Sequence, residues 1–574
     1  MPVRSFPIHV AVSKRHYKGK TYVTTLLRRT YREAGKVKNE TVGNISHLPA
    51  HTIELVRRSL AGESFTPASH WQISRSLPHG NVVSVLGTLR RLGLERMLDR
   101  TPSRQRDLAV AMIASRIIHP GSKLATTRTL PQSTLASLLN VEGATDDDLY
   151  RAMDWLGERQ GSVEKALAKK HLANGSLVLY DLSSSYMEGS RCSLAEYGYS
   201  RDKKRGKTQI EYGLLTDSEG RPIAVDVFKG NTPDCTTVAT QVQKLRARFG
   251  LKEVILVGDR GMITGKLIRE ELSKEDNSGI EWITALRHAQ ICDLEIKGAF
   301  QFSLFDEKEI GEIYDPHYPR ERIILCRNTH LGPQLTRTRE ELLVTTQGLL
   351  DQIVQRVEKG SLRGEGAISL AVGKVIDARK VGRYLSTVIT DTTLTVTRNE
   401  HALAKAIELD GIFALRTSVP AEKMETDDVV RTYKRLQKVE QAFRHFKSID
   451  LRVRPIHHYT ETRVRAHLFL CMLAYYVQWE VERLWAPLTY KDDSPVPSLS
   501  PINADPQAPP ARMMGDQPVH TFHTLLSEMA TLTRNTVTAK EATDTSSPPF
   551  DIIATPTELQ AAALAALSLT SALA

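Results

Sequence analysis

The sequence predicts a mixed α/β protein whose central sheet opens with a meander and continues through helical crossovers. Three observations predict it. Residues 176 to 287 read as three strand-like segments, SLVLYDLSSSY, QIEYGLLTD and RPIAVDVFKG. They then alternate helix and strand through DCTTVATQVQKLRARFG, VILVGDRGM, TGKLIREELSK and EWITALR. The first and fourth strands each run apolar into an aspartate, Asp181 and Asp259. A third acid, Glu440, lies far downstream in the amphipathic segment DDVVRTYKRLQKVEQAFRHFKS.

The 574 residues are too many for one core, and about two to four domains are expected. Hydrophobic and charged contents of 41% and 25% are those of a globular protein, and the net charge of +11 suits a polyanionic partner. Five cysteines with no CxxC spacing predict reduced thiols and a cytoplasmic setting. No apolar signal segment opens the sequence and no run reaches membrane length, so no membrane association is expected.

Residues 1–75 predict a β-rich arm, with strands HVAVS and TYVTTLLRRTY around a basic turn, RHYKGK; a solvated ribbon and a DNA-contacting one fit it equally. Residues 76–170 predict helices, from VVSVLGTLRRLGLERML, RDLAVAMIASRIIH and DDDLYRAMDWLG, the last with aspartates available as caps. Residues 171–289 hold the β-β-β-α-β-α-β series, the order of a ribonuclease H-like fold up to its last helix. That helix is delayed by 290–425, expected to be a β-rich insertion, although REELLVTTQGLLDQIVQRVEKG within it is helical. Residues 426–486 would resume the core with the Glu440 helix and with ETRVRAHLFLCMLAYYVQWEVERLW packed under the sheet. From 487 to 574 the sequence predicts a Pro-rich linker, with seven prolines between Pro495 and Pro518, and a weakly ordered tail ending in a marginal alanine-rich helix.

In a ribonuclease H-like sheet the first and fourth strands are neighbours, so Asp181 and Asp259 would lie side by side. Two close carboxylates repel, a divalent cation resolves the repulsion, and oxygen donors favour Mg²⁺ or Mn²⁺ over zinc. Either aspartate alone is more simply a loop cap. Tyr433, Glu440 and Lys447 recur every seven residues and share one helix stripe, beside an apolar face of Leu436, Val439, Phe443 and Phe446. Alone, that is an ordinary amphipathic helix. His457, His458 and His467 lack zinc-ligand spacing, and GDRGMITGK lacks that of a phosphate loop. Ser183, Ser184 and Ser185 read as loop residues and not as nucleophiles.

Together these segments resemble the DDE transposases of bacterial insertion sequences. VEQAFRHFKS with Tyr433 upstream is similar to the signature helix of one group: Tyr, two residues, Arg, three residues, Glu, six residues, Lys. Tyr433, Glu440 and Lys447 match; Leu436 stands where the arginine belongs, and Arg435 lies one residue early. YDLSSSY and VGDRGM resemble the two aspartate motifs, and FKGNTPDCTT, GIFALRTS and RVRPIHHYTETRVRAH other family segments, over roughly 170–485. The resemblance implies that Asp181, Asp259 and Glu440 hold two Mg²⁺ (or Mn²⁺) ions that cut transposon ends and join the 3′-hydroxyl to target DNA. It implies backbone contacts from Tyr433, Lys447 and either Arg435 or Arg444; for Arg260, beside Asp259, and Lys229, a DNA contact and a surface role fit equally. It also implies DNA-end binding by 76–170 and a homodimeric synaptic complex. The rivals are an inactive transposase-derived DNA-binding protein and another two-metal nuclease on the same fold.

Overall fold

The computed structural model describes residues 8–33, 35–63, 65, 68–189, 191–305, 309–448, 450–489, 513–514, 517–518, 520–540 and 548–570. They form two compact units, 1–77 with 534–554, and 78–533 with 555–574.

In the first unit, β1 (Ile8–Tyr17), β2 (Lys20–Glu33) and β3 (Lys36–Asn44) make an antiparallel sheet, followed by α1 (Ala50–Leu60) and β4 (Trp71–Pro78). Most of RHYKGK is strand. The turn is only Lys18–Gly19, with φ of 47° and 74°, the left-handed pair that matches the twist of a hairpin.

The second unit opens with helices α2 (Gly80–Arg91), α3 (Leu94–Leu98), α4 (Arg104–Ile118), α5 (Lys123–Thr129), α6 (Leu135–Leu139), α7 (Asp146–Glu158) and α8 (Gln160–His171). The run VVSVLGTLRRLGLERML is therefore two helices, parted at Gly93 with φ of 74°. The cap of α7 is Thr145, in a capping box with Asp148, while Asp146 and Asp147 occupy the first turn near the positive end of the helix dipole.

The expected core series follows: β5 (Ser176–Tyr186), β6 (Gln209–Asp217), β7 (Pro222–Lys229), α9 (Asp234–Gln243), β8 (Val254–Val257), α10 (Gly265–Leu267, prolonged by a wide turn to Leu272) and β9 (Ile280–Ala285). β5 pairs antiparallel with β6, and β6 with β7; β5 pairs parallel with β8, and β8 with β9. The first and fourth strands of the series are thus adjacent, as expected.

The intervening region differs from the sequence expectation. After α11 (His288–Ile296), β10 (Ile310–Ile313) and β11 (Arg322–Arg327) extend the main sheet beyond β9. The sheet has eight strands in the order β10-β11-β14-β9-β8-β5-β6-β7, with β14 spanning Ile412–Thr417. Between β11 and β14 lie α12 (Leu331–Glu358), α13 (Glu365–Arg379), the hairpin β12 (Leu385–Ile389) and β13 (Leu394–Arg398), and α14 (Glu400–Glu408). This lobe is mainly helical and not β-rich, and it has its own core around Leu343, Leu350, Ile368 and Leu403. Phe302–Phe305 is a 3₁₀ turn.

The chain returns through α15 (Thr426–Lys434) and α16 (Leu436–Lys447), which meet at Arg435 where one helix was expected. α17 (Glu461–Trp485) is buried along most of its length and packs on β7, α4 and α7. Beyond it come the two-residue strands β15 (Met513–Met514) and β16 (Gln517–Pro518), and then α18 (Phe522–Ala530). β17 (Thr533–Ala539) pairs with β4 and with β18 (Phe550–Ile553), and α19 (Glu558–Ala566) follows.

The proline run lies mostly outside the described residues, but the segment after it is built into the core. Leu525 and Met529 of α18 and Leu564 of α19 are buried, and the Trp485 indole N–H donates to the Ala563 carbonyl at 3.0 Å. The alanines that read as weak order are what let α19 approach α17 closely. Among the described residues no helix is long and apolar enough to cross a membrane.

Candidate active site

β5 and β8 keep a constant register, from Ser176 opposite Val254 to Leu179 opposite Val257, an offset of 78 positions. The pairing stops at Leu179 opposite Val257, so Asp259 lies two residues past the end of β8, beside the strand that carries Asp181. Asp181 does not end its strand. β6 still pairs with β5 there, Asp181 opposite Leu214, and β5 runs on to Tyr186, whereas β8 stops at Val257 and leaves Asp259 exposed.

The third acid reaches the same face through aromatic packing. Tyr212 pairs with Ser183, and its hydroxyl lies 3.0 Å from that of Ser185, so it shares the face of residues 181, 183 and 185. Its ring centroid is 5.7 Å from that of Phe443 and 6.3 Å from that of Phe446. α16 therefore covers that face. Val439, Ala442, Phe443 and Phe446 are buried beneath it, and Glu440 stays exposed at its margin.

Asp181 registers this convergence. Burial, then the charges of Asp259 and Glu440, push its carboxyl up to about 7, against the opposing Leu182 N–H bond and Arg201 charge. The three acids interact but are not closed into a ligand shell: among the described residues no three Asp, Glu, His or Cys side chains stand close enough together to hold a metal ion. Their chemistry, oxygen donors with mutual repulsion, fits a hard divalent cation.

The other sequence-predicted residues divide. The Tyr433 hydroxyl donates to Asp259 Oδ1 at 3.3 Å, and burial with the Asp259 charge raises its phenol. Lys447 is turned inward: its ammonium is 3.0 Å from Asp202, whose side chain is 1% exposed and also takes Arg454 at 2.5 Å. Arg435 lies 3.3 Å from Glu219, which also holds Lys438. Arg444 and Arg260 are exposed and make no ion pair among the described residues.

Sequence reasoning missed Arg201, Asp202, Glu211 and Arg454. Arg201 grips both Asp234 oxygens, at 2.9 and 2.8 Å, lies 3.4 Å from Glu211, and tempers Asp181 from that position. Burial pushes Glu211 up to about 7. The one available signal was Asp234, inside FKGNTPDCTT; Arg201 and Asp202 sit in the basic loop SRDKKRGK, which reads as solvated.

Residues 174–477, more than half of the chain, match the model of the transposase DDE domain, and residues 10–68 match that of the IS1634 family transposase N-terminal domain. No curated protein sequence matches. A solved structure of a piggyBac transposase synaptic complex with hairpin DNA aligns at 9% identity and a TM-score of 0.33, over 70% of this chain and 72% of that one, a likeness too low to argue from. On the extent of the domain match, the protein belongs to the DDE-domain transposases.

Proposed function

We propose that the protein binds the ends of an insertion sequence and catalyses their cleavage and strand transfer on a ribonuclease H-like core, with Asp181, Asp259 and Glu440 as the metal-holding acids. The observation that carries this reading is the placement of Asp181 on β5 and of Asp259 just past the end of the adjacent parallel strand β8, with Glu440 brought by α16 to the same face.

Two bound Mg²⁺ or Mn²⁺ ions would supply an activated nucleophile and a stabilised leaving oxygen. The residues do the rest. Asp181, fixed in mid-strand by β6, gives up its proton when a cation is bound. The Tyr433 hydroxyl orients Asp259 through Oδ1, and Asp259 would be one of the acids holding the cation. Small side-chain rotations of the exposed Asp259 and Glu440 would complete the shell. The carboxylates do not attack phosphorus, so no covalent protein–DNA link forms.

Arg260 and Arg444 are exposed cations suited to DNA phosphates, whereas Lys447 acts from behind by anchoring α16 to Asp202. The stretch 8–32 holds seven Lys and Arg and no acid, which supports DNA contact by the β1–β2 ribbon. By family resemblance, two copies act together on paired ends.

The test is cleavage of the flanking DNA ends by the purified protein with Mg²⁺ or Mn²⁺. Asp181→Ala should abolish nicking while keeping end binding; nicking at the wild-type rate would refute the assignment. Joining of a precut end separates a transposase from a nuclease, which cuts but does not join.

A further inference from the structure

The connection between β5 and β6 carries side chains that the proposed reaction leaves unused. Tyr197 and Tyr199 are 70% and 82% exposed, and the basic turn 200–207, SRDKKRGK, follows them.

The main chain under the tyrosines is locked. Glu196 and Gln209 exchange both backbone hydrogen bonds, at 3.1 and 2.9 Å, so the connection folds back antiparallel on the start of β6. Gln209, 1% exposed, donates from Nε2 to the carbonyls of Tyr199 at 3.1 Å and Gly230 at 2.8 Å. Gly198 lies so close to the end of β7 that a Cβ there would stand 2.0 Å from the Gly230 carbonyl oxygen. Two large aromatic residues are thus held out in water on a fixed backbone. They can take up a flat partner without further loss of main-chain freedom.

The turn is anchored as firmly, and beside the candidate site. The Arg201 N–H donates to Ser184 Oγ at 3.1 Å, and the Tyr186 N–H donates to Asp202 at 3.2 Å. Ser184 is three residues beyond Asp181 on β5, about 10 Å along the strand. Ser200 closes the turn, accepting from the Lys203 N–H at 3.1 Å and the Lys204 N–H at 3.2 Å. Lys203, Lys204 and Arg205 project from it, exposed and without an ion pair among the described residues. Of the nearby acids, Asp202 is buried against Lys447 and Arg454, and Glu188 is held by Lys207 at 2.8 Å. Only the half-buried Glu196 remains to offset the three cations.

Cations alone suit any polyanion. The rings narrow the choice. Bases in a duplex hide their faces in the stack, so exposed tyrosines beside a basic track gain contact only from a strand whose bases are unpaired.

We propose that residues 197–205 bind unpaired nucleotides of a DNA strand, with bases stacked on Tyr197 and Tyr199 and phosphates on Lys203, Lys204 and Arg205. That the strand is DNA rests on the transposase reading; the surface itself does not. Its place beside Asp181 suits a strand opened next to the cut.

The test is fluorescence anisotropy of a labelled oligothymidine of about 20 nucleotides with the full-length protein in EDTA. Tyr197→Ala and Tyr199→Ala should each weaken binding about fivefold, and the pair about thirtyfold, with the salt slope unchanged. Phe at both positions should retain binding to within about twofold, because stacking uses the ring. Changing Lys203, Lys204 and Arg205 together to Ala should lower the salt slope by about two. If the alanine pair lowers the unfolding temperature, Tyr197→Leu with Tyr199→Leu carries the test, since leucine keeps apolar bulk and removes the flat ring.

No oligothymidine binding by the wild type, or equal binding by the ring-deleted variants, overturns the surface. A loss of matched-duplex binding as large as the loss for oligothymidine overturns the unpaired strand. Tighter binding of oligouridine than of oligothymidine overturns DNA as its chemistry. No readout involves cleavage or a metal ion, so this proposal can fail while the assignment of Asp181, Asp259 and Glu440 stands, and the reverse.

Discussion

Neutralising Asp181 should stabilise the protein, and the gain should depend on pH. The folded state holds the Asp181 proton up to about 7, against an ordinary value of 3.8. Below pH 4 the carboxyl is protonated in both states and stability is unaffected. Between about 4 and 7 the unfolded chain ionises while the folded one resists, so stability falls as pH rises through that window and levels off above it.

About three pH units at 1.36 kcal/mol each give an upper bound near 4 kcal/mol. Asp259 and Glu440 face solvent and screen the site, so about 1–3 kcal/mol is the expected share. Asp181→Asn should therefore be about 1–3 kcal/mol more stable than the wild type at pH 8 in EDTA and nearly equal to it at pH 4. Urea unfolding at several pH values measures this. A variant no more stable than the wild type at pH 8, or a wild-type curve that does not fall more steeply than the variant's between pH 4 and 7, would refute the carboxylate cluster. Mg²⁺ at pH 8 should raise the wild-type unfolding temperature and leave Asp181→Asn unchanged.

Asp202→Ala strands Lys447 and Arg454 and should cost about 3–5 kcal/mol, read by thermal unfolding; a loss under 1 kcal/mol would deny Asp202 its anchoring role. Tyr433→Phe removes one hydrogen bond to Asp259 and should slow single-turnover cleavage about tenfold with end binding retained; wild-type cleavage would exclude an orienting role. End binding should weaken steeply with salt, and Arg444→Ala should flatten the slope by about one contact. A salt-independent affinity would argue against DNA as the partner.

The core series was legible because strand and helix periods alternate cleanly from 176 to 286, and apolar runs ending in Asp181 and Asp259 mark adjacent parallel strands. Register supplied what the sequence could not: Asp181 lies in mid-strand because β6 outlasts β8 as a partner. The Glu440 helix was readable from its stripe, but the inward turn of Lys447 depends on Asp202, which is remote in sequence. The expectation of a β-rich insertion failed because the strands between 310 and 327 complete the existing sheet while the lobe after them is mainly helical. Composition misled again after 520, where the alanines of α19 belong to a packed helix.

Unit 1 takes its second sheet from opposite extremes of the polypeptide. Ser74 on β4 donates to the Thr536 carbonyl on β17, 462 positions away. The ribosome makes β4 long before its partner β17, so the second sheet of this unit cannot close until the intervening residues have been made. A product truncated before residue 534 would leave β4 as a bare edge carrying the exposed Ile73, a template for aggregation. Premature termination would thus disable the beginning of the protein together with its end, and the amino-terminal fragment expressed alone is a poor substitute for that unit.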